Sequence, residues 1–144
     1  MIDLTVSTEV SDYDVKTAAG SPSGACSVYV NITTDGVCKG SSSGNYGLSI
    51  NNFAAGSYIF IRNQGYIIGK GGTGGSRPSA GWSYNDSHPC GDRCIQYGTL
   101  NDGTAGGTAM FIQSGINVFI DNSGGVIGGG GGGGGAGGTI GMRS

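Results

Sequence analysis

Charge is scarce in this 144-residue chain: only 11% of residues are Asp, Glu, Lys or Arg, and the formal net charge is −2. No basic patch or stripe is present to neutralise a phosphate backbone, which argues against nucleic acid as a partner. No apolar stretch approaches the ~18 residues of a membrane span, so membrane insertion is not expected. Residues 1–20 lack the basic start and apolar centre of a signal peptide. Helical periodicity is missing throughout. There is a single histidine, and the carboxylates are scattered without a GxSxG nucleophile elbow beside them. Gly69-Lys70-Gly71 lacks the hydroxyl that ends a phosphate-binding loop. Together these gaps point away from an enzyme and away from any cofactor. His88, Cys90 and Cys94 could be read as metal ligands, but they offer three donors where structural zinc needs four, so no metal is expected.

What the chain has is glycine and short strands. Of 33 glycines, 26 lie from Gly65 onward, and Gly128 to Gly135 are consecutive. Alternating or β-branched runs at 2–10, 26–32, 58–61 and 116–120, bounded by Gly, Asn, Ser and Asp, predict an all-β fold of short strands and hairpins. A repeat links them. GSYIFIRNQGYIIGKGGTGG (56–75) aligns with GINVFIDNSGGVIGGGGGGG (115–134), pairing Phe60 with Phe119, Ile61 with Ile120, Asn63 with Asn122 and Gly65 with Gly124. VYVNITTDGVCKG (28–40) is a weaker copy, with Ile32, Gly36 and Gly40 in the places of Ile61, Gly65 and Gly69. Gly36, Gly65 and Gly124 are expected to supply the positive φ of hairpin turns. The chain divides into a β-rich part, 1–55, and a glycine-rich part, 56–144, with a loop inserted at 76–100, the two forming one structural unit.

Fixing residues 128–138 would cost about 11–22 kcal/mol of backbone entropy. Either the run is a disordered tail, or lateral hydrogen bonds offset that cost. Without side chains, polyglycine in the threefold PPII-like helix can pack rod against rod and exchange N–H···O=C bonds sideways. The glycines would then let main chain serve as core.

Three stretches, NQGYIIGKGGTGG (63–75), GTAGGTAM (103–110) and INVFIDNSGGVIGGGGGGGG (116–135), together resemble the glycine-rich distal adhesins of bacteriophage tails. They look most like the C-terminal tip domains of central tail fibres of the host-specificity type. Similar motifs occur in small tip adhesins capping long tail fibres. Residues 18–40 resemble the family more loosely. The resemblance implies a non-catalytic receptor-binding tip at the distal end of the virion tail, joined to the rest of the fibre, with polyglycine rods in an intertwined homotrimer. Its partner would be an outer-membrane protein or a surface polysaccharide of the bacterium. Three copies in one chain could also build a self-contained bundle. Ice-binding and structural glycine-rich proteins use similar rods. However, Thr73, Ala105, Thr108 and Ala136 are too few and irregular for an ice face.

The long insertion carries the candidate binding residues. Trp82, Tyr84, Arg93 and Tyr97 are hot-spot residue types gathered in one connection. A Cys90–Cys94 bridge would stiffen that connection, and Cys26–Cys38 forms the other candidate bridge, unless those two are free buried thiols. Trp82 and Tyr97 could instead fill a small satellite core. SSSGNYG (41–47) presents Tyr46 in a second adaptable loop, or in an ordinary surface turn. Asp12 and Asp14, flanking Tyr13, read as a polar edge.

Overall fold

The computed structural model describes residues 1–76 and 102–135 in full, and the backbone of residues 82–85 and 93–96. The described chain winds through four successive coils. β1 (Ile2–Val6), β2 (Glu9–Ser11) and β3 (Tyr13–Asp14) form the first, followed by a single helical turn, α1 (Val15–Ala18). β4 (Ser27–Ile32), β5 (Val37–Lys39) and β6 (Leu48–Ile50) form the second. The third opens with β7 (Tyr58–Asn63) and β8 (Tyr66–Ile68). It leaves on a long excursion holding β9 (Trp82–Asn85) and β10 (Arg93–Gln96), and closes with β11 (Met110–Ile112). β12 (Asn117–Asp121) and β13 (Val126–Gly128) make the fourth.

Equivalent strands stack into three parallel sheets: β1-β4-β7-β12, β2-β5-β8-β13 and β3-β6-β11. Each sheet draws strands from both sides of residue 55. The result is a three-sided parallel solenoid, which corrects the expected hairpins: β7 and β8 are consecutive but belong to different sheets. Among the described residues only β9 and β10 pair antiparallel. An apolar strand, a polar turn and a second apolar strand describe a hairpin and a solenoid corner equally well. What separates them is whether each strand bonds its successor or the same strand one coil later.

The inward positions of these strands are the apolar ones. Val28, Val30 and Ile32 lie beside Ile59, Ile61 and Asn63, and all six are at most 1% exposed. Cys38 stacks on Ile67, while Leu48, Ile50 and Phe53 fill the third side. Burying each large aliphatic side chain contributes about 1.5–3 kcal/mol, enough to hold a fold with almost no helix. α1 is set by Asp14, whose carboxylate accepts from the Thr17 N–H at 3.1 Å.

Register also corrects the repeat. Tyr58 pairs with Asn117 but Tyr66 with Val126, so one residue has been added at the fourth corner. That corner holds Gly124 at φ 82, while Gly125 takes the place of Gly65. In the weaker copy Ile32 lies beside Asn63, not Ile61, although Val37 beside Tyr66 keeps the expected offset. Gly36 and Gly65 do not adopt positive φ. They are glycine because a Cβ would stand 2.3 Å from the Val6 carbonyl oxygen and 2.1 Å from that of Gly36. At each corner the next coil passes directly over a carbonyl.

Cys26 and Cys38 are both free, which corrects the candidate bridge. Cys26 precedes the first-sheet strand β4, whereas Cys38 faces inward from the second sheet. Burial pushes the Cys38 thiol up to about 12. Iodoacetamide at neutral pH is therefore expected to alkylate half-buried Cys26 in the native protein and Cys38 only after denaturation, as read by peptide mass mapping. Alkylation of native Cys38 at the Cys26 rate would show that the interior opens.

Candidate functional site

Three glycine-rich runs leave the solenoid. They cover residues 69–75, which continue from β8, residues 102–108, which return toward β11, and residues 128–135, which continue from β13. Each run donates to one neighbour and accepts from the other. Gly69, Gly72 and Gly75 donate to the carbonyls of Gly128, Gly131 and Gly134 at 2.7–2.9 Å. Gly130 and Gly133 donate to Gly107 and Thr104, and Gly107 and Thr104 donate to Lys70 and Thr73. Donors recur every third residue, and the three runs form a closed ring of lateral bonds. The first and third run the same way, with the second antiparallel between them.

The glycines have a matching phase. A Cβ on Gly69, Gly72, Gly103, Gly106, Gly130 or Gly133 would stand 1.8–2.0 Å from a carbonyl oxygen of a neighbouring run. On Gly131 or Gly134 it would meet nothing within 4 Å. Main chain fills the space between the runs. Residues 136–138 lie outside the described residues. Thr73 and Thr104 add a side-chain clasp, with the Thr104 hydroxyl accepting from the Thr73 N–H at 2.8 Å.

This geometry fixes where the insertion is mounted. Gly75 is bonded to Gly134, and Asp102 lies beside Gly135, so the chain departs and returns at the end of the runs remote from the solenoid. In the backbone pairing of β9 with β10, Trp82 stands opposite Gln96, Tyr84 opposite Cys94 and Arg93 opposite Asn85. Three of the four candidate binding residues thus fall on one two-stranded unit. Tyr97, His88 and Cys90 lie outside the described residues.

Tyr46 is placed differently. Its ring packs on Phe111 with centroids 5.2 Å apart, so one face is committed to the third sheet. The loop that carries it is anchored by Asp12, which sits at φ 51. The Asp12 carboxylate accepts from the Ser41 hydroxyl, from the Ser41 N–H at 2.8 Å and from the Asn45 amide at 3.1 Å. The Ser41 hydroxyl and N–H together hold the Asp12 carboxyl below its usual range. The polar edge read in the sequence is a loop anchor.

A feature the sequence reading passed over lies on the outer face of the first sheet. Tyr29, Phe60 and Phe119 stack one coil above another with centroids 5.3 and 5.1 Å apart and rings within 14° of parallel. Beside them is a groove of about 650 Å³ lined by Tyr58, Ile116 and these three rings, among others. The signal was available in the match of Phe60 with Phe119. Extending the ladder to Tyr29 required the register that the weaker copy obscured.

Among the described residues, no three His, Cys, Asp or Glu side chains come together to hold a metal, and no helix is long and apolar enough to cross a membrane. Comparison with known proteins matches the whole chain, residues 1–144, to the family model described as phage tail fibre adhesin Gp38. No curated protein and no solved structure matches.

Proposed function

The chain belongs to the phage tail fibre adhesin Gp38 family, and from that premise we propose that it is the distal, non-catalytic receptor-binding tip of the fibre. In this reading the three runs are polyglycine II rods forming a stiff spacer. The segment mounted at their far end meets an outer-membrane protein or a surface polysaccharide of the host. Trp82, Tyr84, Arg93 and Tyr97 form the contact set, and the loop with Tyr46, at the solenoid end of the runs, is a second and separate candidate contact.

The observation that carries this reading is the closed ring of lateral bonds with period three. A rigid stem on a solenoid body spends its order on holding one segment away from the fibre, and binding residues tend to sit on such connections. Period three is the period of the PPII helix, in which one residue in three faces each neighbour. One chain supplies all three runs and its own apolar interior, which favours a self-contained tip over the homotrimer that fibre tips suggest.

Purified protein is expected to bind susceptible cells and not receptor-deficient mutants. Trp82→Ala and Arg93→Ala should each weaken that binding by roughly 30-fold or more, the loss typical of an interface hot spot, with unchanged thermal melts. Wild-type affinity in both variants would remove this segment from the site. Thermal hysteresis without cell binding would move the protein to the ice-binding class.

A further inference from the structure

The two ends of the glycine bundle are held by different means. At the solenoid end each run joins a strand, and the loop of residues 41–45 packs against the root. A Cβ on Gly107, which is buried there, would stand 3.1 Å from the Ser43 Cα and 3.2 Å from the Ser42 carbonyl oxygen. At the far end the runs hold one another. A PPII-like run has no hydrogen bonds of its own, so its end is ordered only by what it exchanges with its neighbours.

The runs do not reach that end equally secured. The first is tied at its last glycine, since Gly75 donates to the Gly134 carbonyl at 2.7 Å. On the returning run Asp102 and Gly103 donate to no described main-chain carbonyl, so Thr104 is the first residue after the insertion whose N–H is tied. It is tied on both sides. Its N–H donates to the Thr73 carbonyl at 2.9 Å, and its own carbonyl accepts from Gly133 at 2.8 Å. The Thr104 hydroxyl adds a third link: it accepts from the Thr73 N–H at 2.8 Å and lies 3.0 Å from the Thr73 hydroxyl. Each threonine thus supplies an N–H and an acceptor to the other. One repeat nearer the solenoid, Gly107 and Lys70 exchange only the main-chain bond, because Gly107 has no side chain to receive the Lys70 N–H.

We propose that Thr73 and Thr104 are positioning residues for receptor recognition: their clasp fixes the point at which the chain carrying Trp82, Tyr84 and Arg93 comes back to the runs. The proposal deepens the adhesin reading and rests on it. The clasp acts through the segment it mounts, not by touching the receptor. Both threonines are exposed, so their bonds compete with water. The gain from one such bond is of the same order as the entropy lost when one residue is fixed. The returning end is therefore ordered by a narrow margin, and removing the hydroxyl shifts its population without undoing the fold. A binding segment whose return point is ordered only part of the time binds in proportion to that fraction. Holding the point beforehand removes this cost.

The test uses the full chain, with susceptible cells as the probe and amide hydrogen exchange as a second readout. Thr104→Val keeps the shape of the side chain and the main-chain bonds but removes the acceptor. It is expected to weaken cell binding about fivefold, the worth of one hydrogen bond. The Thr73 amide should lose its protection, while Gly107 and Gly130, nearer the solenoid, keep theirs. Thr104→Ser restores the hydroxyl, and its binding should return to within about twofold of wild type. Thr73→Val spares both the donor N–H and the acceptor on Thr104, so it should stay in the same range. Should Thr104→Val fail to fold, Thr104→Ala removes the same acceptor and decides in its place. Wild-type binding in the deciding variant, or an equal loss in Thr104→Ser, would overturn the proposal. So would loss of protection at Gly107 and Gly130, since the clasp would then hold up the whole bundle and position nothing. Failure of the wild-type protein to bind cells would instead strike the adhesin reading, and this role with it, while the exchange pattern would still report the clasp.

Discussion

Gly130→Ala and Gly133→Ala are expected to destabilise the glycine bundle, while Gly131→Ala, one residue away, should leave it as stable or slightly more so. The difference follows from which way each Cα faces. A Cβ on Gly130 would stand 1.9 Å from the Lys70 carbonyl oxygen, and one on Gly133 would stand 1.8 Å from that of Thr73. Those two oxygens accept from Gly107 and Thr104, so the added methyl strikes an atom already holding the ring together. Because the obstacle is backbone, relief requires sliding a whole run, which breaks the remaining bonds of the same phase. Overpacking of this kind costs about 1–3 kcal/mol where side chains can adjust, and here none can. At Gly131 the methyl enters open space, and losing a glycine from the unfolded chain stabilises by about 0.4–1 kcal/mol. Amide hydrogen exchange reads the same phase directly: Gly72, Thr104, Gly107, Gly130 and Gly133 should be protected, and Gly130→Ala should release all of them. Equal behaviour of the 130 and 131 variants, or fast exchange at every glycine amide, would show that the runs are not packed on one another.

That phase was partly legible in the residues themselves. In the first run Lys70 and Thr73 stand three apart at positions that do not face inward, and the inward Gly69 and Gly72 alternate with them. The eight glycines of 128–135 carry no such mark, because a uniform run has no phase until its neighbours impose one. The strands and their recurrence were equally visible, since alternating Val and Ile mark each strand and Ile61 recurs at Ile120 in the same register as Phe60 and Phe119. The pairing partner was not. Local alternation records which side chains are buried but not whether a strand bonds the next one or the one a coil away. The error at Gly36 and Gly65 has the same root. Turn glycines are usually needed for their φ, and only the path of the neighbouring coil reveals that these two are needed for their missing Cβ. The aromatic ladder was hidden behind a two-residue difference in turn length between the second and third coils, which displaced Tyr29 from Phe60 in an alignment that pairs Ile32 with Ile61. For the candidate binding residues, sequence and structure contribute different things. Residue type singles out Trp82, Tyr84 and Arg93, whereas the points where the chain that carries them departs and returns are set by main-chain hydrogen bonds among the glycine-rich runs.

Asn63→Leu should be the most damaging single change within the solenoid, although it replaces a polar side chain by an apolar one of similar size in a fully buried position. In the first two coils the same column holds Val6 and Ile32, so size and hydrophobicity alone would favour leucine. The asparagine is retained by what surrounds it. Its Oδ1 accepts from the Gly65 N–H at 3.1 Å, and its Nδ2 donates to Asn122 at 2.7 Å and to the Val126 carbonyl at 3.2 Å. These bonds tie the third corner to the fourth at the point where Gly124 has been inserted and the backbone register shifts. Leucine would strip three polar groups of their partner, and each buried one left unsatisfied costs about 1–3 kcal/mol. Asn122→Ala removes only one of the three bonds, at an exposed residue that water can reach, so its cost should stay near the ~1 kcal/mol of an ordinary hydrogen bond. Urea unfolding of both variants at constant m measures the gap. Should Asn63→Leu match or exceed wild-type stability, the fourth coil would be held by apolar stacking alone.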